Sequence, residues 1–283
     1  MSRAVTVVGI GDDGCAGLSA RAANAIARAR VLAGGERHLA FFPQFRGERV
    51  VLDRNLSTAL DRIAALADEE PVCMLASGDP LFFGIGTRVL ERVGAEHVEF
   101  IPQPSSVQWA FARAGLSWHD AAFLSLHGRT RGGLVARLRG HAKVACLTDH
   151  HNTPAALARH LLDHGEPGWR AWVCERLGGP GERVRRFALE ALAGCEDVDP
   201  LNVLLLVRGD PAWRPPPAVP FLADDAFEQR SPRRGLITKR EVRLLSLAAL
   251  GLRRDSVVWD VGAGSGSVGI EAALVASEGR VYA

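Results

Sequence analysis

Three short stretches of the 283-residue chain combine glycines with carboxylates at the ends of apolar runs. The first is Gly9-Ile10-Gly11-Asp12-Asp13-Gly14, the second Ser77-Gly78-Asp79-Pro80-Leu81-Phe82-Phe83-Gly84-Ile85-Gly86, and the third Trp259-Asp260-Val261-Gly262-Ala263-Gly264-Ser265-Gly266. Glycine lets a ligand come close to the main chain, and the carboxyl ends of strands are where open α/β sheets bind ligands. The first stretch has the formal G-x-G-x-x-G spacing, with Glu36 22 positions after Gly14 as a candidate ribose-binding acid. Asp12 and Asp13, however, stand where a pyrophosphate would meet backbone amides, and two carboxylates repel it. The helix that follows is predicted to start only near Leu18. The stretch therefore reads as a tight strand-to-helix turn whose Asp pair faces a solvent cleft. An NAD-dependent oxidoreductase stays as the alternative reading of the glycine turns.

In the second stretch Pro80 fixes the turn and Asp79 can accept bonds from hydroxyl or ammonium donors. Other polar groups fall at predicted strand ends. Ser105 and Ser106 precede a helix, where either can cap it or hold a ligand. His127, Gly128 and Arg129 follow one strand, and Asp149, His150 and His151 follow another. The last three are not read as a metal site, because adjacent residues on a turn do not converge on one ion.

These residues need a scaffold, and the pattern predicts an α/β one. Short β-branched runs at 4–8, 72–75, 98–101, 122–125, 143–147, 171–174 and 202–207 alternate with amphipathic helical patterns at 18–29, 57–67, 84–93, 105–114 and 154–163. They divide into two α/β halves, about 1–103 and 104–208, meeting near Pro102-Gln103-Pro104. Residues 183–189 and 202–207 have no long helix between them, which predicts an antiparallel edge. Five prolines between Pro211 and Pro220 mark residues 209–221 as a linker. Beyond it, Thr238-x-x-Glu241 has capping-box spacing ahead of an apolar helix. The roughly sixty residues from 222 to 283 are too few to close an independent α/β core, so this domain is read as incomplete.

The 34 basic and 32 acidic residues nearly balance, which argues against nucleic acid as a partner. Five cysteines without a C-x-x-C pair fit a reducing, cytoplasmic setting. The chain shows neither a signal segment nor an apolar run near the ~18 residues of a membrane span, so no membrane association is expected.

Taken in order, VGIG, SGDPLFFGIG, PQPSSVQWAFARAGLSW, SLHGR, LTDHHNTPAALAR and CERLGGPGERV resemble the tetrapyrrole methylases of corrin synthesis across residues 4–208. The resemblance implies the tetrapyrrole methylase fold, with a trough between two α/β halves. It implies S-adenosylmethionine (SAM)-dependent methylation of a precorrin macrocycle at C5, in cobalamin biosynthesis. Gly78, Asp79, Gly84, Ser105, Ser106 and the backbone of Leu126 would then hold SAM. Arg129 would clamp acetate or propionate carboxylates of the macrocycle, and His127 and Asp79 are the candidates for a base that adjusts its tautomer.

The segment from GLITKREV onward resembles the entry to a second, Rossmann-like SAM methyltransferase module found in bifunctional members. C15 methylation and decarboxylation of the C12 acetate belong to that module. By the same resemblance Thr238, Gly262, Gly264 and Gly266 would contact SAM there. The expected ribose-binding acid does not appear, so neither of these two reactions is expected of this chain. Homo-oligomerisation is an analogy with the family, and a non-catalytic tetrapyrrole-binding protein is the remaining alternative.

Overall fold

A computed structural model describes residues 5–53, 55–215, 221–227 and 237–283. Ala4 of the first predicted strand and residues 216–220 of the proline-rich linker lie outside the described residues.

Residues 5–101 build a five-stranded, wholly parallel sheet. Its strands are β1 (Val5–Ile10), β2 (Val31–Gly34), β3 (Glu48–Val51), β4 (Val72–Ser77) and β5 (Val98–Ile101), in the order β3-β2-β4-β1-β5. Helices α1 (Ala20–Arg28), α2 (Glu36–Leu39), α3 (Leu56–Ala67) and α4 (Gly86–Val93) form the crossovers. Because helices cover both faces, β1 and β4 read as continuous apolar runs and are buried almost throughout. Strands β2 and β3 escape the pattern reading. Each has only four residues, and β3 (Glu-Arg-Val-Val) is half charged because it lies at the sheet edge.

From β1 the chain crosses to β2, beyond β4; from β4 it crosses to β5, beyond β1. The connections thus leave these two neighbours in opposite directions, which opens a crevice at their carboxyl ends. Both glycine turns of this half, 9–14 and 77–86, sit at that crevice. They are packed backbone against backbone. Gly78 N–H donates to the Ile10 carbonyl (3.1 Å), and Gln103 N–H donates to the Gly78 carbonyl (3.1 Å). A Cβ on Gly9 would lie 1.9 Å from the Gly78 oxygen, and one on Gly78 would lie 2.8 Å from the Ser105 Cα.

Residues 122–208 form a second five-stranded sheet with α5 (Ser106–Ala114), α6 (Leu134–Arg139), α7 (Pro154–Asp163) and α8 (Leu189–Ala193) around it. Its strands β6 (Ala122–Ser125), β7 (Lys143–Leu147), β8 (Trp169–Glu175), β9 (Arg183–Ala188) and β10 (Asn202–Arg208) run in the order β6-β7-β10-β8-β9. β6 and β7 are parallel, whereas β10 is antiparallel to both neighbours and β9 is an antiparallel edge. The register Ser125↔Leu147, Val203↔Leu147 and Asn202↔Glu175 brings the ends of β6, β7 and β8 to one edge of the sheet.

The last unit comprises α9 (Arg240–Leu250), β11 (Val257–Trp259), α10 (Ser267–Val275) and β12 (Arg280–Tyr282), with β11 and β12 paired in parallel. It is stitched by the fully buried Arg243. That guanidinium pairs with Glu271 and Asp224, donates to the carbonyls of Leu222 and Thr238, and lies 4.7 Å from the Phe227 ring. The sheet is open to solvent, with Val257 63% and Trp259 74% exposed.

The expected Thr238–Glu241 capping box does not form. The helix starts at Arg240 with Lys239 at its N-cap and no side-chain cap, so Glu241 falls one position short of where the box requires it. Thr238 contributes its carbonyl to Arg243 instead.

The Gly9–Gly78 contact yields the first prediction. Gly9→Ala drives a methyl group into backbone and is expected to cost about 3 kcal/mol or more, read as a lowered urea midpoint with an unchanged slope.

Candidate active site at the meeting of two sheet edges

The crevice of the first sheet and the strand-end edge of the second are joined through Asp12. Its side chain is 6% exposed; Arg37 Nη1 of α2 donates to Oδ1 (3.0 Å), and Arg176 Nη2, just beyond β8, lies 3.2 Å from Oδ2. Among the described residues this is the one ion pair joining the part before Pro102 to the part after Pro104. Gly178 and Gly179 of the loop after Arg176 lie directly over Asp13 and Asp12. Asp13 folds back over its own turn towards Gly11 and Gly17, with Gln103 Nε2 at 3.5 Å. The sequence-based expectation of an Asp pair facing a solvent cleft is therefore corrected. In the sequence, the cue was the CERLGG segment, whose arginine the one-dimensional reading left unassigned.

Arg37 also links Asp12 to a buried histidine. Its Nη2 lies 3.1 Å from His38 Nε2 and 3.4 Å from Ser77 Oγ, and the Ser77 hydroxyl lies 3.2 Å from the same ring nitrogen. A guanidinium only donates, so Nε2 accepts and the ring proton sits on Nδ1, a buried atom with no hydrogen-bond partner. Burial first, and the neighbouring Arg37 second, lower the His38 pKa to about 4, against a smaller opposing pull from Asp12. His38 is a neutral acceptor that helps orient Arg37. Sequence reasoning missed it because it follows β2, one of the two unrecognised strands.

Beside Ser77, the turn holding Gly78, Asp79 and Gly84 winds around the Pro80 carbonyl, which accepts from Gly86 N–H (2.8 Å). Asp79 Oδ1 accepts from Leu81 N–H (2.9 Å), leaving Oδ2 for another donor. Phe82 reaches across to the second sheet, where its ring meets Phe123 of β6 edge-on at 5.5 Å. Phe83 and Arg176 are the only non-glycine residues among those described with positive φ, at 52° and 47°. An L-residue held in that region costs of order 1–3 kcal/mol, and such strain concentrates at functional sites.

Ser105 is the N-cap of α5. Its Oγ accepts from Gln108 N–H (3.3 Å) while Gln108 Oε1 accepts from Ser105 N–H (2.8 Å), a complete capping box. The hydroxyl hydrogen remains available, and Ser106 beside it is exposed. On the facing edge, His127 and Arg129 are exposed, in a loop fastened from below. Asp149 accepts from the amides of Gly128 (2.7 Å), His151 (2.9 Å) and Asn152 (2.6 Å), while Asn152 Nδ2 donates to the carbonyls of Leu126 (2.8 Å) and Arg129 (2.9 Å). Desolvation works to raise the Asp149 pKa, but these amide donors hold it down at about 2. Leu126 is wholly buried. Its N–H donates to the Leu147 carbonyl (2.9 Å), and its own carbonyl takes Asn152 and Arg129, so its main-chain groups are filled from within the protein.

Asp79, Ser105 and Ser106 thus sit on one sheet edge, and His127 and Arg129 on the other. Asp79 and His127 form no hydrogen bond with each other. In the last unit, Gly262, Gly264 and Gly266 all adopt left-handed φ (79°, 57° and 71°), which L side chains resist. Asp260 Oδ2 ties that turn to α10 by accepting from Gly269 N–H (3.0 Å).

Residues 4–193 match the family model described as Tetrapyrrole (Corrin/Porphyrin) Methylases. The chain belongs to the tetrapyrrole methylases. Residues 226–283 match a second model, described as a precorrin methyltransferase domain. Among curated relatives, a precorrin-6Y C(5,15)-methyltransferase [decarboxylating] from Sinorhizobium sp is 40% identical over 94% of this chain and 64% of its own length. The chain therefore spans somewhat less than two thirds of that relative. A cobalt-precorrin-7 C(5)-methyltransferase from Salmonella typhimurium is 38% identical over 71% of this chain and 98% of its own length. Among solved structures, a uroporphyrin-III C-methyltransferase from Thermus thermophilus in complex with S-adenosylhomocysteine is 26% identical, with a TM-score of 0.58, covering 72% of this chain and 96% of that one.

Two outcomes test the electrostatics of this tetrapyrrole methylase. Asp12→Asn removes the charge between two guanidiniums and is expected to destabilise by about 2 kcal/mol in urea titrations. His38 titrates near its ordinary 6.5 when unfolded and at about 4 when folded. Its neutral form is thus favoured by folding, the contribution is intact above pH 6.5, and about 3 kcal/mol is lost as pH falls to 4. His38→Gln should flatten that part of the stability–pH curve.

Proposed function

We propose that residues 1–208 are a SAM-dependent methyltransferase domain acting on C5 of a precorrin macrocycle in cobalamin biosynthesis. One comparison carries the reading. The relative named as a C(5)-methyltransferase is matched over almost its whole length by about 200 residues of this chain, whereas the relative named for both C5 and C15 extends well beyond it. The C5 reaction is thus assigned to the part containing the two facing sheet edges. Residues 222–283 form the opening of the module for C15 methylation and C12-acetate decarboxylation, joined by the linker at 209–221.

SAM, when bound, would supply an electrophilic methyl group carried on a sulfonium for transfer to a ring carbon. The residues fit such a ligand by their chemistry: a carboxylate oxygen of Asp79 left free for an ammonium or hydroxyl donor, and the Ser105 and Ser106 hydroxyls beside it. Gly78 and Gly84 shape the turn that presents Asp79, and Leu126 forms the packed base of the opposite loop. Arg129 is placed to clamp a peripheral carboxylate of the macrocycle. Methyl transfer of this type needs little covalent help, so alignment of the methyl donor with the acceptor carbon supplies most of the acceleration, worth about 7–11 kcal/mol in well-oriented reactions. His127 or Asp79 takes up the ring proton released on returning to the conjugated tautomer. Gly262, Gly264 and Gly266 are proposed as cofactor contacts of the second module.

The test uses the whole chain with methyl-labelled SAM and precorrin-7 or its cobalt form. Label is expected at C5; a protein that binds SAM yet leaves C5 unlabelled refutes the assignment. Arg129→Ala should raise KM for the macrocycle about tenfold with SAM affinity unchanged, since a single charge-assisted contact is worth about that factor.

A further inference from the structure

Phe83 occupies an uncommon position for a large apolar side chain. Its backbone is in the left-handed region (φ 52°), and its side chain is nonetheless 49% exposed. The cause lies in its neighbours. Phe82 is drawn into the second half, where it packs with the cluster around Phe111, Phe123 and Leu205. Gly86 is bound back to the Pro80 carbonyl (2.8 Å). Between these two anchors the chain must reverse within a few residues, which turns Phe83 outwards. Its ring lies edge-on to Phe82, 4.8 Å between centroids, and Phe82 continues the contact to Phe123 and on to Trp118, itself exposed. Leu81 adds another exposed apolar side chain to the same turn, two residues from Asp79.

Glycine, the residue that suits left-handed φ, follows immediately at Gly84. Beyond the edge-on contact with Phe82, the half-exposed ring leaves apolar surface in water on a strained backbone. That arrangement is accounted for if the ring meets a ligand. We infer that Phe83 is a substrate-positioning residue that presents its ring to the conjugated face of the macrocycle, so that the acceptor carbon is held in line with the methyl group at the Asp79 edge. This rests on the proposed tetrapyrrole substrate. An extended apolar lip running from Leu81 and Phe83 towards Trp118 suits a broad ring system better than the single bicyclic base of SAM.

Phe83→Ala keeps the left-handed backbone and removes the ring; Phe83→Gly removes both ring and strain. In the full chain, with methyl-labelled SAM and precorrin-7, both variants are expected to raise macrocycle KM about tenfold, the loss of one aromatic stacking contact. SAM affinity by titration should stay at the wild-type value, and Phe83→Tyr should restore KM. Phe83→Gly should also melt about 2–4 °C above Phe83→Ala, because only the glycine relieves the backbone. Wild-type KM in both variants overturns the inference while leaving the methyl-transfer reading intact. So does a loss confined to SAM affinity, which would assign the ring to the cofactor, or a change confined to sedimentation mass, which would assign it to a second copy of the chain. Failure of the wild-type protein to label C5 refutes the substrate reading and this inference with it.

Discussion

A single buried carboxylate carries the ion pairing between the two halves of this molecule. Asp12 lies at the end of β1, the second strand from the edge of a parallel sheet, and takes one guanidinium from its own half and one from the other. Every candidate residue on the first edge is fixed relative to β1 through the Gly9–Gly78–Ser105 backbone contacts, and the candidates on the second edge share the sheet end from which Arg176 projects. The angle between the two edges therefore depends on where Arg176 sits against Asp12. Its Oδ2 contact is a charge contact without good hydrogen-bond alignment. This attraction over a few ångströms tolerates small rotations better than a rigid bidentate pair would, while Phe82 packed against Phe123 adds an apolar contact between the halves.

Much of this was legible in one dimension. β-branched runs found seven of the ten strands of residues 5–208 within a few residues, because buried parallel strands and sheet centres must be apolar on both faces. The three glycine turns were visible from glycine and carboxylate at strand ends. What stayed hidden was set by tertiary pairing. Asp12 and Asp13 look solvent-facing until a loop more than 160 positions later is laid over them. β2 and β3 are too short to show a period, and with them went His38. Thr238 had the right spacing for a cap, but Arg243, buried among carboxylates and carbonyls, set the start of the helix instead.

Strain is distributed unevenly. Among the described residues, two non-glycine residues take left-handed conformations, Phe83 on one side of the trough and Arg176 on the other. The turn of the last unit meets the same geometric demand with three glycines and places no side chain there. The contrast separates two ways of shaping a loop: one accepts an unfavourable backbone to present a side chain, the other leaves the main chain bare. In the first turn of the chain Gly9 serves differently again, allowing close contact between neighbouring backbones.

The strand order of the first sheet also bears on how the chain assembles. β1 is made first among its strands, yet its partners β4 and β5 come more than sixty and ninety residues later. Until β4 (Val72–Ser77) has emerged, the run Val-Thr-Val-Val-Gly-Ile has no strand on either side, and its second neighbour β5 follows only from Val98. Such long-range parallel pairing is slow to form. During synthesis this strand, buried in the finished sheet, thus waits longest for its neighbours, and the nascent chain depends on delayed closure by β4 and β5 to bury it.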